Sequence, residues 1–154
     1  MNGFRTCKVL ACFKIRQVIL DTHVLLAALI SPQGPPDTIY RAWRSAIFEL
    51  VTSTAQLDEL RRVSRYPKLK HLLPAHRVGT MVNNMQRAIV LRNLSPLPQN
   101  LHLNDANDAF LIAMALAGEA DYLVTGDRRA GLLQHSVVGR TPIVTPALFC
   151  THAL

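Results

Sequence analysis

The sequence is poor in acidic residues and in cysteine, and each shortage narrows the kinds of protein it can represent. Only 10 of its 154 residues are Asp or Glu, against 17 Lys and Arg, so the net charge is +7. A positive excess favours polyanionic partners such as nucleic acids, although it carries no information about the fold. Cys7, Cys12 and Cys150 form no CxxC pair and no zinc-finger spacing. We therefore expect neither a disulfide framework nor a structural zinc site, and a reduced, cytoplasmic setting is the simpler interpretation.

Long apolar runs and several common enzyme motifs are also absent. No stretch approaches the ~20 apolar residues that span a bilayer, so no membrane contact is expected. The GxSxG, Walker A and GxGxxG patterns do not occur, which leaves serine hydrolases, nucleotide hydrolases and dinucleotide-binding enzymes without support. Apolar residues make up 49% of the chain and charged residues 18%, a composition typical of a globular domain.

The chain is expected to contain one folded domain with short extensions. Residues 1–16 are basic, and their apolar run at residues 9–13 is followed by Lys14 and Arg16. That run is shorter than the core of a secretory signal, so we interpret these residues as an extension outside the fold. The predicted domain spans residues 17–150, and residues 151–154 form a short tail.

Apolar strand-like runs alternate with segments of helical spacing along this domain. Strands are predicted at residues 17–21, 48–52, 121–125 and 142–145. Helices are predicted at residues 22–29, 37–46, 54–65, 74–91 and 105–117, with Gly118 as a stop, and shorter ones at 127–133 and 146–149. Such alternation is typical of parallel strands joined by helical crossovers. The predicted class is α/β, with three α/β/α layers around a central, mainly parallel sheet.

Four of the acidic residues occupy positions where ligand sites form in such sheets. Asp21 directly follows the first strand, and Asp127 lies just beyond the third; ligands collect at the carboxyl ends of parallel strands. Glu59 lies in the helix after the second strand, and Asp108 opens the Ala-rich helix that starts near residue 105. If the crossovers are right-handed, all four side chains can reach the same rim of the sheet.

A cluster of carboxylates favours a hard divalent cation. Carboxylates repel one another and are costly to remove from water, so their convergence is best explained by Mg²⁺ or Mn²⁺. Each acid also has a simpler interpretation. Asp21 is a possible turn or cap residue, Asp105 and Asp108 suit the amino terminus of a helix, and Glu59 suits a solvated face. The residues alone leave these alternatives open.

Five segments, in order and spacing, resemble the PIN-domain family, and within it the VapC-like toxin nucleases of bacterial toxin–antitoxin pairs. The resemblance covers about residues 17 to 150. The segments are VILDTHVL from Val18, ELVTSTAQLDEL from Glu49, RYPKL from Arg65, DANDAFLIAMA from Asp105 and DYLVTGD from Asp121. The third is similar to a basic turn found in one branch of the family, and the other four carry acids of its site.

This resemblance implies a Mg²⁺- or Mn²⁺-dependent ribonuclease that hydrolyses phosphodiester bonds in single-stranded RNA. Asp21, Glu59, Asp108 and Asp127 would hold the metal and position the attacking water. Asp105 would be a peripheral metal residue, and Thr125 would orient a site carboxylate by hydrogen bonding. The resemblance also implies a homodimer and a small antitoxin partner that blocks the site. The other hypotheses are an RNA-binding module that has lost catalysis and a PIN nuclease that acts in RNA maturation.

One position departs from the family pattern, because His23 stands where an Asn is usual. An imidazole can donate a hydrogen bond but is bulkier than an amide and titrates near neutrality. We predict that neutral His23 still braces Asp21 or Asp127; the alternatives are an outward side chain without a function and a direct metal ligand. Among the basic residues, those nearest the site motifs are predicted to contact RNA phosphates: Arg128, Arg129, Arg62 and Arg65.

Overall fold

The computed structural model describes residues 15–97, 108–126 and 137–154. Within these residues the chain forms six strands: β1 (Gln17–Leu20), β2 (Glu49–Ser53), β3 (Ile89–Leu91), β4 (Tyr122–Val124), β5 (Val137–Val138) and β6 (Thr141–Val144). The same residues form seven helices: α1 (Thr22–Ile30), α2 (Pro35–Arg44), α3 (Thr54–Ser64), α4 (Pro67–Lys70), α5 (Ala75–Gln86), α6 (Ala109–Gly118) and α7 (Pro146–Ala153).

The strands form one sheet in the order β3-β2-β1-β4-β6-β5. Every neighbouring pair is parallel except β5 and β6, which are antiparallel. β1 lies in the middle of the sheet, where Val18 is aligned with Leu50 of β2 on one side and with Tyr122 of β4 on the other. The prediction of a central, mainly parallel sheet flanked by helices is therefore confirmed.

Helices pack on both faces of the central strands. Side chains alternate between the two faces along each strand, so neighbouring residues of one strand belong to different apolar layers. Val18 and Leu20 of β1 face a large apolar layer formed by α1, α2, α3, α5 and α7. Ile19 faces the opposite layer, which α6 supplies in the described part of the chain. A strand buried on both faces is apolar on both. This explains why the three buried residues of β1, Val18, Ile19 and Leu20, form an unbroken apolar run.

β3 and β5 were not predicted, and the reason is the same for both. β3 lies within residues 74–91, which the sequence predicts as helical, but α5 ends at Gln86. Ile89, Val90 and Leu91 then pair with β2. β5 has two residues, which precede a turn at Gly139 with φ of 58°. Such short strands carry no periodicity of their own, so their neighbours decide their conformation.

α6 ends at the residue predicted as its stop. Gly118 is the last residue of the helix, and the left-handed residue is the next one, Glu119, with φ of 46°. A Cβ atom at position 118 would lie 3.3 Å from Cγ1 of Val51. Gly118 therefore serves the close approach of α6 to the sheet, and Glu119 makes the turn.

Two further predictions concern the ends of the domain. α7 was predicted as a turn over residues 146–149 and instead runs to Ala153. The predicted helix at residues 127–133, the first residues of the predicted helix at 105–117 and most of the extension 1–16 lie outside the described residues. None of the helices in the described ranges is long and apolar enough to cross a membrane.

Candidate functional site

The centre of the sheet contains the point at which strand order reverses. From β1 the sheet extends to β2 and β3 on one side and to β4 and β6 on the other. In open parallel sheets, ligands bind outside the carboxyl ends of the strands at this reversal. Asp21 directly follows β1 and Thr125 directly follows β4, and the last residues of these strands, Leu20 and Val124, are aligned. The topology therefore brings Asp21 and Thr125 to the expected ligand position.

The carboxylate of Asp21 is held by hydrogen bonds at both of its oxygens. Oδ1 accepts from the backbone amide of His23 at 3.2 Å, so Asp21 also caps the amino terminus of α1. Oδ2 accepts from the Thr125 hydroxyl at 2.6 Å. The backbone amide of Asp21 donates to the carbonyl of Val124 at 2.9 Å. With a side chain only 3% exposed, Asp21 presents its charge in a fixed direction.

The contact between His23 and Asp21 comes from the main chain. The imidazole of His23 is exposed and makes no hydrogen bond to another described residue. The second acid that His23 was expected to brace, Asp127, lies outside the described ranges. A hydrogen bond from the imidazole to a site carboxylate therefore stays a prediction. A cap formed by a backbone amide does not depend on the side chain at this position, so the histidine is compatible with the geometry of Asp21.

Asp108 directly precedes α6 and is 6% exposed. α6 connects toward the amino end of β4, so its own amino terminus lies at the carboxyl edge of the sheet, the edge that Asp21 occupies. Ile19 and Leu123 face α6. Residues two positions apart on a strand point to the same face, so Asp21 and Thr125 point to the face that α6 covers. The fold thus places these three residues at one edge and toward one face.

Glu59 lies on a different element from the other site acids. It lies in α3, which begins at Thr54 directly after β2 and is capped by the Ser53 hydroxyl, a bond of 3.1 Å to the amide of Gln56. At a rise of about 1.5 Å per residue, Glu59 lies roughly 8 Å from the start of the helix. The side chain is half-buried.

One polar residue that positions these elements was missed in the sequence. Gln56 is fully buried in α3, and its Nε2 donates to the carbonyl of Leu20 at 2.6 Å. Its Oε1 accepts from the Thr52 hydroxyl at 2.7 Å. The amide therefore ties the helix that carries Glu59 to the residue that precedes Asp21. The sequence did offer a signal, because Gln56 occupies the apolar face of α3 at helical spacing from Leu60.

Several predicted site residues lie outside the described ranges: Asp105, Asp127, Arg128 and Arg129. Among the residues that the structure describes, no three His, Cys, Asp or Glu side chains are grouped closely enough to hold a metal ion. The donors that are described, on Asp21, Glu59 and Asp108, are carboxylate oxygens, the ligand type that suits Mg²⁺ and Mn²⁺. The donor chemistry fits such an ion, and the complete ligand set stays a prediction.

The two described arginines of the predicted RNA contact have different surroundings. Arg62 is exposed, stacks over the ring of Tyr66 at 5.7 Å and donates a hydrogen bond to its hydroxyl. Arg65 is exposed at the end of α3 and lines a groove between α3 and α5. Both are available to a partner, and their contact with RNA stays a prediction.

Comparison with known proteins agrees with this architecture. The sequence pattern that defines the PIN domain matches residues 17–129. The fold is similar to a chain in the crystal structure of VapBC2 from Rickettsia felis bound to a DNA fragment from their promoter, with a TM-score of 0.54 and 15% identity. The similarity covers 84% of this chain and 98% of that one. No curated protein matches the sequence significantly.

Proposed function

Since the chain belongs to the PIN-domain family, whose members are generally nucleases, we propose that it is a metal-dependent endoribonuclease. The proposed reaction is hydrolysis of phosphodiester bonds in single-stranded RNA. The observation that carries this proposal is Asp21, a buried carboxylate at the strand-order reversal whose direction Thr125 and the start of α1 fix. A buried charge is stabilised by pairing, by hydrogen bonds or by a metal, and a metal bound by Asp21 would add to the hydrogen bonds that hold it.

The proposed metal ligands are Asp21, Glu59, Asp108 and Asp127, with Asp105 in a peripheral role. When bound, Mg²⁺ or Mn²⁺ would lower the pKa of a coordinated water and neutralise charge on phosphoryl oxygens. The chain's own contribution is orientation: Thr125 fixes one oxygen of Asp21, and the buried amide of Gln56 fixes α3 against the end of β1. The net charge of +7 would attract the RNA backbone.

We further propose that the protein is the toxin of a toxin–antitoxin pair in the cytoplasm. The support is that the similar chain from Rickettsia felis comes from VapBC2, a complex solved on promoter DNA. A small antitoxin protein would block the site, and the active form would be a homodimer. The family match supports the nuclease fold, and these partners are specific expectations added to it.

The test is cleavage of a mixed pool of single-stranded RNA by the full chain with Mg²⁺, Mn²⁺ or EDTA. We expect cleavage with either metal and none with EDTA. Asp21→Asn should lower the rate by at least about a hundredfold, because it removes a charge from the proposed metal site while it retains the shape of the residue. Metal-independent cleavage, or a fully active Asp21→Asn variant, would contradict the proposal.

Two acids that are not proposed as metal ligands, Asp58 and Asp121, provide controls for Glu59. Glu59→Gln should lose activity, whereas Asp58→Asn should keep it, because Asp58 is exposed and its contact with Arg61 spans 3.5 Å on the surface. Asp121→Asn is a second control: Asp121 lies at the opposite end of β4, where it binds the Gln17 amide and Arg140. Equal losses in all three variants would point to unfolding rather than to a site.

A further inference from the structure

A groove of about 420 Å³ lies between α3 and α5, and Arg65 is the one predicted nuclease residue among the described residues that line it. Its apolar wall consists of aliphatic side chains that are nearly inaccessible to water: Leu73, Val78 and Val82, each at most 9% exposed. Ser64 and Asn83 add hydrogen-bonding groups at its sides. A concave, apolar site with a few polar groups is the usual form of a binding site.

The polar rim of the groove is positively charged. Arg61, Arg65 and Lys70 line it, and none of the described residues in its lining is acidic. Arg61 contacts Asp58 at 3.5 Å between exposed side chains, an interaction of little strength in water. Arg65 and Lys70 form no ion pair with a described residue. The groove therefore offers cationic groups to an acidic partner.

A glycine within α5 also points to a partner. Gly79 lines the groove, and a Cβ atom built on it would meet no atom within 4 Å. A glycine in the interior of a helix lowers stability relative to alanine, and packing among the described residues gives no reason for it here. Because Gly79 has no side chain, a side chain of another molecule can approach the backbone of α5 closely at this point, and glycine is common at positions of such close approach.

The residues that line the groove favour an acidic protein segment over single-stranded RNA as its ligand. Single-stranded RNA is bound through cations together with aromatic side chains on which bases stack. The part of the groove lining that the structure describes contains no aromatic residue. An aliphatic floor contributes nothing to phosphate binding, but it suits a Leu, Ile or Val side chain. We propose that the groove binds an acidic segment of a partner protein, anchored by an aliphatic side chain over Gly79. This proposal does not depend on nuclease activity.

The test begins with selection of random peptides displayed on phage against the full chain. We expect enriched peptides to combine Asp or Glu with an aliphatic residue and to bind with an affinity that falls as salt increases, because the rim charges are exposed. Binding of one such labelled peptide is then measured by fluorescence anisotropy. Gly79→Leu should fill the groove and weaken binding at least about tenfold while it raises the melting temperature, since leucine favours helix.

Two surface substitutions complete the design. Arg65→Glu should also weaken binding at least about tenfold, whereas Arg87→Glu should leave it unchanged, because Arg87 is equally exposed but lies outside the groove. Enriched peptides that bind the Gly79→Leu variant as well as wild type would overturn the proposal. So would binding of a single-stranded RNA oligonucleotide that Gly79→Leu weakens, because that result would assign the groove to nucleic acid.

Discussion

The hydrogen bond between Thr125 and Asp21 joins residues that are far apart in sequence and adjacent in the sheet. It is short, at 2.6 Å, and buried. A carboxylate that accepts a hydrogen bond from a neighbour has a defined direction, and such supporting groups govern how well a metal is held. Thr125 is therefore proposed as a positioning residue for Asp21.

Thr125→Val tests this role, since valine keeps the shape of threonine without the hydroxyl. We expect Mn²⁺ affinity, measured by isothermal titration calorimetry, to fall by about 10- to 100-fold. Thr141→Val is the matched control: Thr141 is also fully buried and donates at 2.6 Å, but to the carbonyl of Ala120 away from the proposed site. Both variants should lose stability, and only Thr125→Val should lose affinity. Equal affinities in the two variants would refute a positioning role.

At the residue scale, the sequence predicts the acidic residues of the site better than it predicts the hydrogen bonds that hold them in place. Asp21 was predicted as a site acid because it ends an apolar run, and Thr125 because it belongs to a family motif. The route by which His23 reaches Asp21, through its backbone amide, was not predictable, because side-chain identity does not report main-chain contacts. Gln56 was overlooked because a single polar residue on an apolar helix face gives a weak signal.

At the scale of elements, the amide of Gln56 is the direct polar tie between α3 and the end of β1. It accepts from Thr52 and donates to Leu20, so it satisfies two groups that are otherwise buried. Removing a partner from a buried polar group costs more than the hydrogen bond itself contributes, because the remaining group has lost water as well. The tie is therefore important both to stability and to the placement of Glu59.

Gln56→Leu should lower the free energy of unfolding by about 1–3 kcal/mol, measured by urea denaturation, because the Thr52 hydroxyl loses its acceptor. Thr52→Val added to Gln56→Leu should recover part of that loss, since the hydroxyl is then gone as well. The two changes are thus expected to be non-additive. Strict additivity would show that the side chains do not form a coupled pair.

The sequence predicted those elements whose pattern is local and missed those that depend on a neighbour. β1, β2, β4 and β6 are apolar runs bounded by polar residues, and all four were predicted. β3 is half-buried and follows a helix without a clear break, so only its pairing with β2 makes it a strand. Gly118 was predicted correctly as the stop of α6, but the left-handed turn at Glu119 and the close packing of Gly118 on Val51 were not predicted, because both depend on contacts that the sequence does not show.

For the whole molecule, the charge of +7 predicts how RNA binding depends on salt. With Asp21→Asn in EDTA, which prevents cleavage, the logarithm of RNA affinity should fall linearly with the logarithm of salt concentration. Each phosphate neutralised on a single strand contributes about −0.7 to the slope. Arg62→Gln should make the slope shallower by about that amount. A slope that Arg62→Gln leaves unchanged would remove Arg62 from the predicted RNA contact.

Because Asp21 caps α1, the residue that replaces it determines whether an inactive variant stays folded. Asparagine is as good a helix cap as aspartate, whereas alanine at such a position costs about 1 kcal/mol. Selection for cells that survive the proposed toxin without its antitoxin should therefore yield abundant inactive protein from Asp21→Asn and scarce protein from Asp21→Ala. The Asn form is accordingly the better reagent for trapping an uncut transcript.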